Sequence, residues 1–200
     1  MVKKSRGRRV KPNFLNALMF CVIVIIEIFS FSPLQAQPKD LHSEKLSIGL
    51  TQFPATFHPN IDSMLAKSYI LAMVRRPFTI YDHNWKLICM LCTQLPTLKN
   101  GLAKLERTPK GARGIAVTYS IQHQAVWGDG KPITVKDVIF TWNVGKHPLS
   151  GVSSRELYRR IYKIDVVDDK TFTLHFDRVT FNYNEINNFD LLPHHIDGQK

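Results

Sequence analysis

Cys89 and Cys92, separated by Met90 and Leu91, are the residues whose type and spacing could most directly do chemistry. Two thiols at this spacing serve redox exchange, half of a tetrahedral zinc site, or a local disulfide. Zinc needs two further ligands at matching spacing, and His83, His123 and His147 supply no partner pair. A thioredoxin-like site needs a helix opening at the first cysteine, whereas Thr93-Gln94-Leu95-Pro96 follows at once and allows little helix. The residues therefore read as two small buried side chains that close a local disulfide in an oxidising compartment, with thiol redox exchange as the enzymatic alternative. His194-His195 reads as a surface or loop pair, because adjacent side chains do not readily face one ion and no carboxylate–histidine constellation accompanies them. The sequence has no Gly-x-Ser-x-Gly elbow, no His-Glu-x-x-His and no phosphate loop. No catalytic residue, metal ligand or cofactor is assigned.

The charge balance bears on partners. The 200 residues carry a formal charge of +11, which would suit nucleic acid. Its distribution argues otherwise: Lys3, Lys4, Arg6, Arg8, Arg9 and Lys11 precede an apolar stretch centred on Ala17 to Ile26 and a small-residue end at Ser32 to Ala36. That order is what a secretory signal peptide requires, so residues 1–36 are expected to direct export and residues 37–45 to form a polar leader. Beyond residue 36 the balance falls to 21 basic against 15 acidic residues, and no nucleic-acid partner is expected. Retention as a membrane anchor is the alternative. Phe14 to Phe31 is barely long enough to span a bilayer, and Asn16 and Glu27 interrupt it, so no stable anchor is expected after cleavage. Arg8-Arg9 is followed by Val10-Lys11-Pro12 rather than the usual twin-arginine context, and Phe20 before Cys21 argues against lipidation.

The elements that must position any site follow from periodicity. Leu46 to Leu50 alternates like a short strand, and Phe53 to Asn60, with two prolines, is an ordered loop. Asp62 is expected to cap a helix to about Val74 whose apolar face is Leu65, Tyr69, Ala72 and Met73, with Arg75-Arg76 at its negative end and Pro77 as its stop. Phe78 to Leu91 predicts a hairpin turning at Tyr81 to Asn84, and Pro96 to Gly114 a basic, turn-rich stretch. Ile115, Val117, Tyr119 and Ile121 share one face of a half-buried strand. Thr134 caps a helix over 134–144, with Asp137 reaching back to the Thr134 amide, and Gly145 followed by Pro148 ends it. A further helix over Ser153 to Arg160 precedes two strands that carry Ile164, Val166 and Phe172, Leu174, Phe176 around an Asp168-Asp169-Lys170 turn. Hairpins and helices without regular strand–helix alternation predict α+β, or a lobe with an inserted subdomain.

The stretch Trp127 to Thr141 is, physically, a strand exit, a glycine-bracketed turn, a proline and a capped amphipathic helix. It resembles the signature W-x-D-G-x-P-I/L-T-x-x-D-V-x-F-T/S of the family 5 extracellular solute-binding proteins, the peptide-binding components of ABC importers. Trp127, Asp129, Gly130, Pro132, Ile133, Thr134, Asp137, Val138, Phe140 and Thr141 fill every fixed position. Phe57-His58-Pro59 is similar to the family's Leu-Asn-Pro loop, Val166 to Thr171 to its Val-Val-Asp-Asp-x-Thr hairpin, and Leu192 to Ile196 to its Leu-Pro-x-His-Ile segment. The likeness covers about residues 46–196.

The resemblance implies a periplasmic-binding-protein-like fold of type II, with 46–200 as an incomplete first lobe and about 78–160 as a small inserted subdomain. Family members continue through a second lobe, and the sequence stops before it, so that lobe is expected to be absent. The implied role is a periplasmic protein that delivers peptides or a similar small solute to ABC permease subunits; a truncated, non-functional remnant is the alternative. By resemblance, the loop and helix start after the first strand face the cleft, which makes Ser63, Met64 and Leu65 the candidate ligand-binding residues. Helical spacing alone also allows Met64 and Leu65 to be ordinary core. Trp127, Asp129 and Asp137 read as turn, cap and packing residues that identify the fold without touching ligand.

Overall fold

Alternation at Ile115, Val117, Tyr119 and Ile121 places four apolar side chains on one side of a strand, and all four are fully buried. They line the inner face of the sheet that organises the compact unit Gly49–Lys200. The computed structural model describes residues 46–198, so the expected signal peptide and leader lie outside the described residues. In chain order the elements are α1 (Leu65–Val74), β1 (Thr79–Tyr81), β2 (Leu87–Cys89), β3 (Ala103–Arg107), β4 (Arg113–Ser120), α2 (Val135–Lys146), α3 (Arg155–Arg160), β5 (Ile161–Val166), β6 (Thr171–Phe176) and α4 (His194–Asp197).

The main sheet has the order β3-β4-β6-β5, antiparallel throughout, with Val117 opposite Leu174 and Tyr119 opposite Phe172. Its strands lie on both sides of residue 160, because β4 pairs with β6. On the outer face the hydroxyl pairs Thr118–Thr173 at 2.9 Å and Ser120–Thr171 at 3.1 Å bridge the two central strands. On the inner face Phe78 meets the rings of Phe172, Tyr119 and Phe189 with centroids 5.6, 6.0 and 6.3 Å away. The Tyr119 hydroxyl, deep in this core, donates to the Asn184 carbonyl at 2.9 Å, and burial raises its pKa far above the usual phenol range.

Mixed helix and antiparallel sheet match the α+β expectation, as do the β1–β2 and β5–β6 hairpins. Several local expectations are corrected. Leu46–Leu50 forms no strand: its apolar residues are exposed, Leu46 at 83%, and no sheet edge among the described residues pairs with its backbone. β3 occupies the stretch expected to be turns, since β4 offers it a partner. α1 starts at Leu65 with Met64 as N-cap, and Asp62, with φ 57°, lies in the left-handed region before it rather than capping it. The stripe expected to be its core face is exposed; Ala66 and Lys67 are buried instead.

Gly145 does not end α2, which runs to Lys146 and stops before Pro148. The ring of Tyr158 fills the space beside Gly145: a Cβ there would sit 2.3 Å from Tyr158 Cγ. Trp142 on α2 donates from Nε1 to the Tyr158 and Ile161 carbonyls at 3.2 and 3.1 Å, satisfying oxygens at the end of α3. Among the described residues, no helix is long and apolar enough to cross a membrane.

Candidate functional site

The approach to α1 builds the candidate site. Two prolines keep residues 53–60 out of helix, and an isolated antiparallel bridge joins Ile61 to Val152, while Ser153 N–H donates to the Asn60 carbonyl at 2.9 Å. The carbonyls of His58, Ile61 and Asp62 all turn towards Lys67, whose ammonium donates to each; the Lys67 side chain is thereby held in a residue only 4% exposed. A buried ammonium needs such acceptors to offset its lost hydration. About two turns further along, Arg75 caps α1 and pairs with Asp190 at 2.5 Å, and the Asn60 side-chain amide donates to the Asp190 carbonyl at 2.9 Å.

These groups surround a polar cavity of ≈ 180 Å³, lined among others by Asn60, Ser63, Lys67, Ser68, Arg75 and Asp190. Burial pushes the Asp190 carboxyl up to about 6, even with the Arg75 guanidinium beside it pulling the other way. Burial likewise lowers His58 below the usual imidazole value, opposed by the charge of Asp197. Of the residues expected to bind ligand, Ser63 lines this cavity, half-buried Met64 stands behind it as the N-cap, and Leu65 points to solvent at 65% exposure. Core packing therefore does not account for Leu65. Lys67, Arg75 and Asp190 complete the cavity, and helical spacing, which points to the Leu65–Tyr69–Met73 face, carries no sign of them.

The signature stretch forms the corner expected of it. Trp127 N–H donates to the Lys131 carbonyl at 2.7 Å, Gly130 takes φ 82°, and Asp129 Oδ1 accepts from the Lys131 amide at 3.1 Å. Gly128, by contrast, is not in the left-handed region. Asp137 Oδ2 accepts the Thr134 amide at 2.8 Å, as a capping box requires. The same carboxylate reaches further: its Oδ1 accepts the His194 amide at 2.9 Å, and the Thr141 hydroxyl accepts the Leu192 amide at 2.8 Å. His195 Nε2 meets Asp129 Oδ2 at 2.7 Å. Two stretches with separate family likenesses, 127–141 and 192–196, are thus one hydrogen-bonded unit. The His194-His195 pair is tied to carboxylates of that unit, on the short helix α4 rather than in a loop. Among the described residues, no cluster of three His, Cys, Asp or Glu side chains is placed to hold a metal ion. Cys89 and Cys92 are joined as the local disulfide expected of them.

The unit falls inside residues 101–198, which match the profile described as bacterial extracellular solute-binding proteins, family 5 Middle. Over residues 101–198 the chain is similar to the family 5 extracellular solute-binding proteins. The fold agrees over a longer stretch. The oligopeptide binding protein of Thermus thermophilus, solved with a pentapeptide, superposes at a TM-score of 0.60 with 28% identity, over 72% of this chain and 23% of that one. The Campylobacter jejuni protein NikZ, solved with Ni(L-His), has a TM-score of 0.57 at 15% identity, covering 74% of this chain and 27% of its own. AppA of Bacillus subtilis, an oligopeptide-binding protein solved with a nonapeptide, gives 0.56 at 19% identity, covering 72% and 27%. A curated relative, "Uncharacterized protein y4wM" of Sinorhizobium fredii, is 34% identical over 64 residues, which are 31% of this chain and 9% of the relative. The chain thus spans about a quarter of the solved structures and under a tenth of that relative.

Proposed function

We propose that this chain is part of a periplasmic solute-binding protein, exported on residues 1–36, that presents peptides or a similar small solute to the permease subunits of an ABC importer. The observation that carries the reading is the Asp137–Thr141 docking of the 192–195 segment, which makes the family 5 signature one built unit. The 28% identity to an oligopeptide binding protein solved with a pentapeptide supports a peptide as the solute. In this reading Ser63 and the cavity around Lys67 meet the polar main chain of the ligand, with Met64 and Leu65 beside it, and no side chain performs catalysis. The pairing of β4 with β6 supports drawing the inserted subdomain, taken from the sequence as about 78–160, out to Phe176.

Calorimetry of the exported chain with penta-alanine tests this. The expected result is saturable binding that is weakened in Ser63→Trp, because the indole fills the cavity. No saturable heat with penta-alanine, together with unchanged peptide uptake in a deletion strain, would leave the remnant reading in its place. A thiol-redox protein is the competing reading, favoured by the Cys89–Cys92 disulfide and opposed by Cys92 being 1% exposed. Peptide binding that survives replacement of both cysteines by serine decides against it.

A further inference from the structure

We infer that the signature corner and the end of α1 form a second ligand site, separate from the Ser63 cavity, for a small organic carboxylate with an apolar body. A cleft of ≈ 640 Å³ opens there, several times the ≈ 180 Å³ at Ser63. That volume is within the range of small-molecule sites, roughly 300–1,000 Å³. Val74, Met90, Leu91, Trp127, Ile133 and Leu191 supply apolar wall. An indole beside a thioether and branched aliphatic chains favours an aromatic or aliphatic ligand body.

The charge of the cleft selects the other end of the ligand. No aspartate or glutamate lines it, while Arg75 and Arg76 both do. Arg75 is engaged by Asp190 at 2.5 Å, but Arg76 makes no ion pair among the described residues. A guanidinium without a counter-charge at the rim of an apolar cleft is suited to a carboxylate, which it can engage through two parallel N–H donors. The Trp127 indole N–H, buried in the same wall, also lacks an acceptor.

The walls are held in place before any ligand arrives. The Cys89–Cys92 disulfide brackets Met90 and Leu91. The Gln122 side-chain amide donates to the Met90 carbonyl at 2.9 Å, and the Gln122 main-chain N–H to the Leu91 carbonyl at 3.0 Å. Across the cleft, the Trp127–Lys131 and Gly130–Trp127 hydrogen bonds fix the corner. Walls fixed in this way spare the ligand the cost of ordering them.

The probe is 3-phenylpropionate, titrated into the full chain and followed by calorimetry and tryptophan fluorescence, with neutral 3-phenylpropanamide as its uncharged counterpart. The acid binds saturably, and Arg76→Gln weakens it roughly tenfold. The amide binds the wild type as weakly as the acid binds that variant. Arg76 is exposed, so the variant keeps its circular dichroism, and it keeps whatever affinity the chain shows for penta-alanine, which separates this site from the one at Ser63. Reduction of the disulfide lowers the affinity for the acid by releasing the Met90–Leu91 wall. Absence of saturable binding at millimolar acid, equal binding of acid and amide, or an unaltered affinity in Arg76→Gln would overturn the assignment.

Discussion

Gly145 lies with its α-carbon against the ring of Tyr158, so closely that a methyl group there would sit 2.3–2.6 Å from three ring carbons. The contact lets α2 and α3 approach, and it carries the Trp142 indole to the carbonyls of Tyr158 and Ile161. Gly145→Ala therefore destabilises the chain although alanine is the better helix former. The helix-propensity gain of about 1 kcal/mol is outweighed by overpacking of roughly 1–3 kcal/mol. Urea unfolding with an unchanged slope and a lowered midpoint is the expected record, whereas a raised midpoint would show that Tyr158 yields without cost.

Asp137 and Thr141 share the task of holding the 192–195 segment on α2, each with a main-chain amide as partner. Thr141→Val keeps the shape and leaves the Leu192 amide without its acceptor, at a cost of about 1–3 kcal/mol. Asp137→Ala loses both the helix cap and the His194 amide, and should cost more than Thr141→Val. Hydrogen exchange at the Leu192 and His194 amides locates the effect: faster exchange there, with the Val117 and Leu174 strands still protected, is the predicted pattern. Uniform exchange across the chain would contradict it.

Asp190 supplies a pH dependence whose sign follows from its burial. Its folded-state pKa, about 6, lies above that of an unfolded aspartate, so the folded chain holds a proton that the unfolded chain releases. The stabilisation is complete at pH below the unfolded value and is lost as pH rises through about 6. A shift of this size corresponds to at most about 3 kcal/mol. Asp190→Asn cannot titrate, so its urea midpoint falls less than that of the wild type between about pH 4 and about pH 7. Parallel pH profiles for the two proteins would exclude Asp190 as the source.

Much of this molecule is written locally in its sequence. The alternation from Ile115 to Ile121, the capping box of Thr134 and Asp137, the Asp168 turn and the Cys89–Cys92 pair each involve residues a few positions apart, and each forms as its spacing predicts. Chain-local geometry is enough to satisfy them. The signature from Trp127 to Thr141 was legible for the same reason, being a turn and a helix start.

What the tertiary structure alone decided are the contacts whose partners are far along the chain. Helical spacing put Leu65, Tyr69 and Met73 on one face of α1, but which face is covered depends on the neighbouring surface, and that surface receives Lys67 through three carbonyls instead. A glycine near a helix end looks like a stop until a tyrosine from another helix is laid against it. The Arg75–Asp190 pair and the second role of Asp137 join residues 115 and 57 positions apart, a distance over which no periodicity carries information. Burial and long-range hydrogen bonds belong to the packed chain, because desolvation is set by what surrounds a group and not by its place in the sequence.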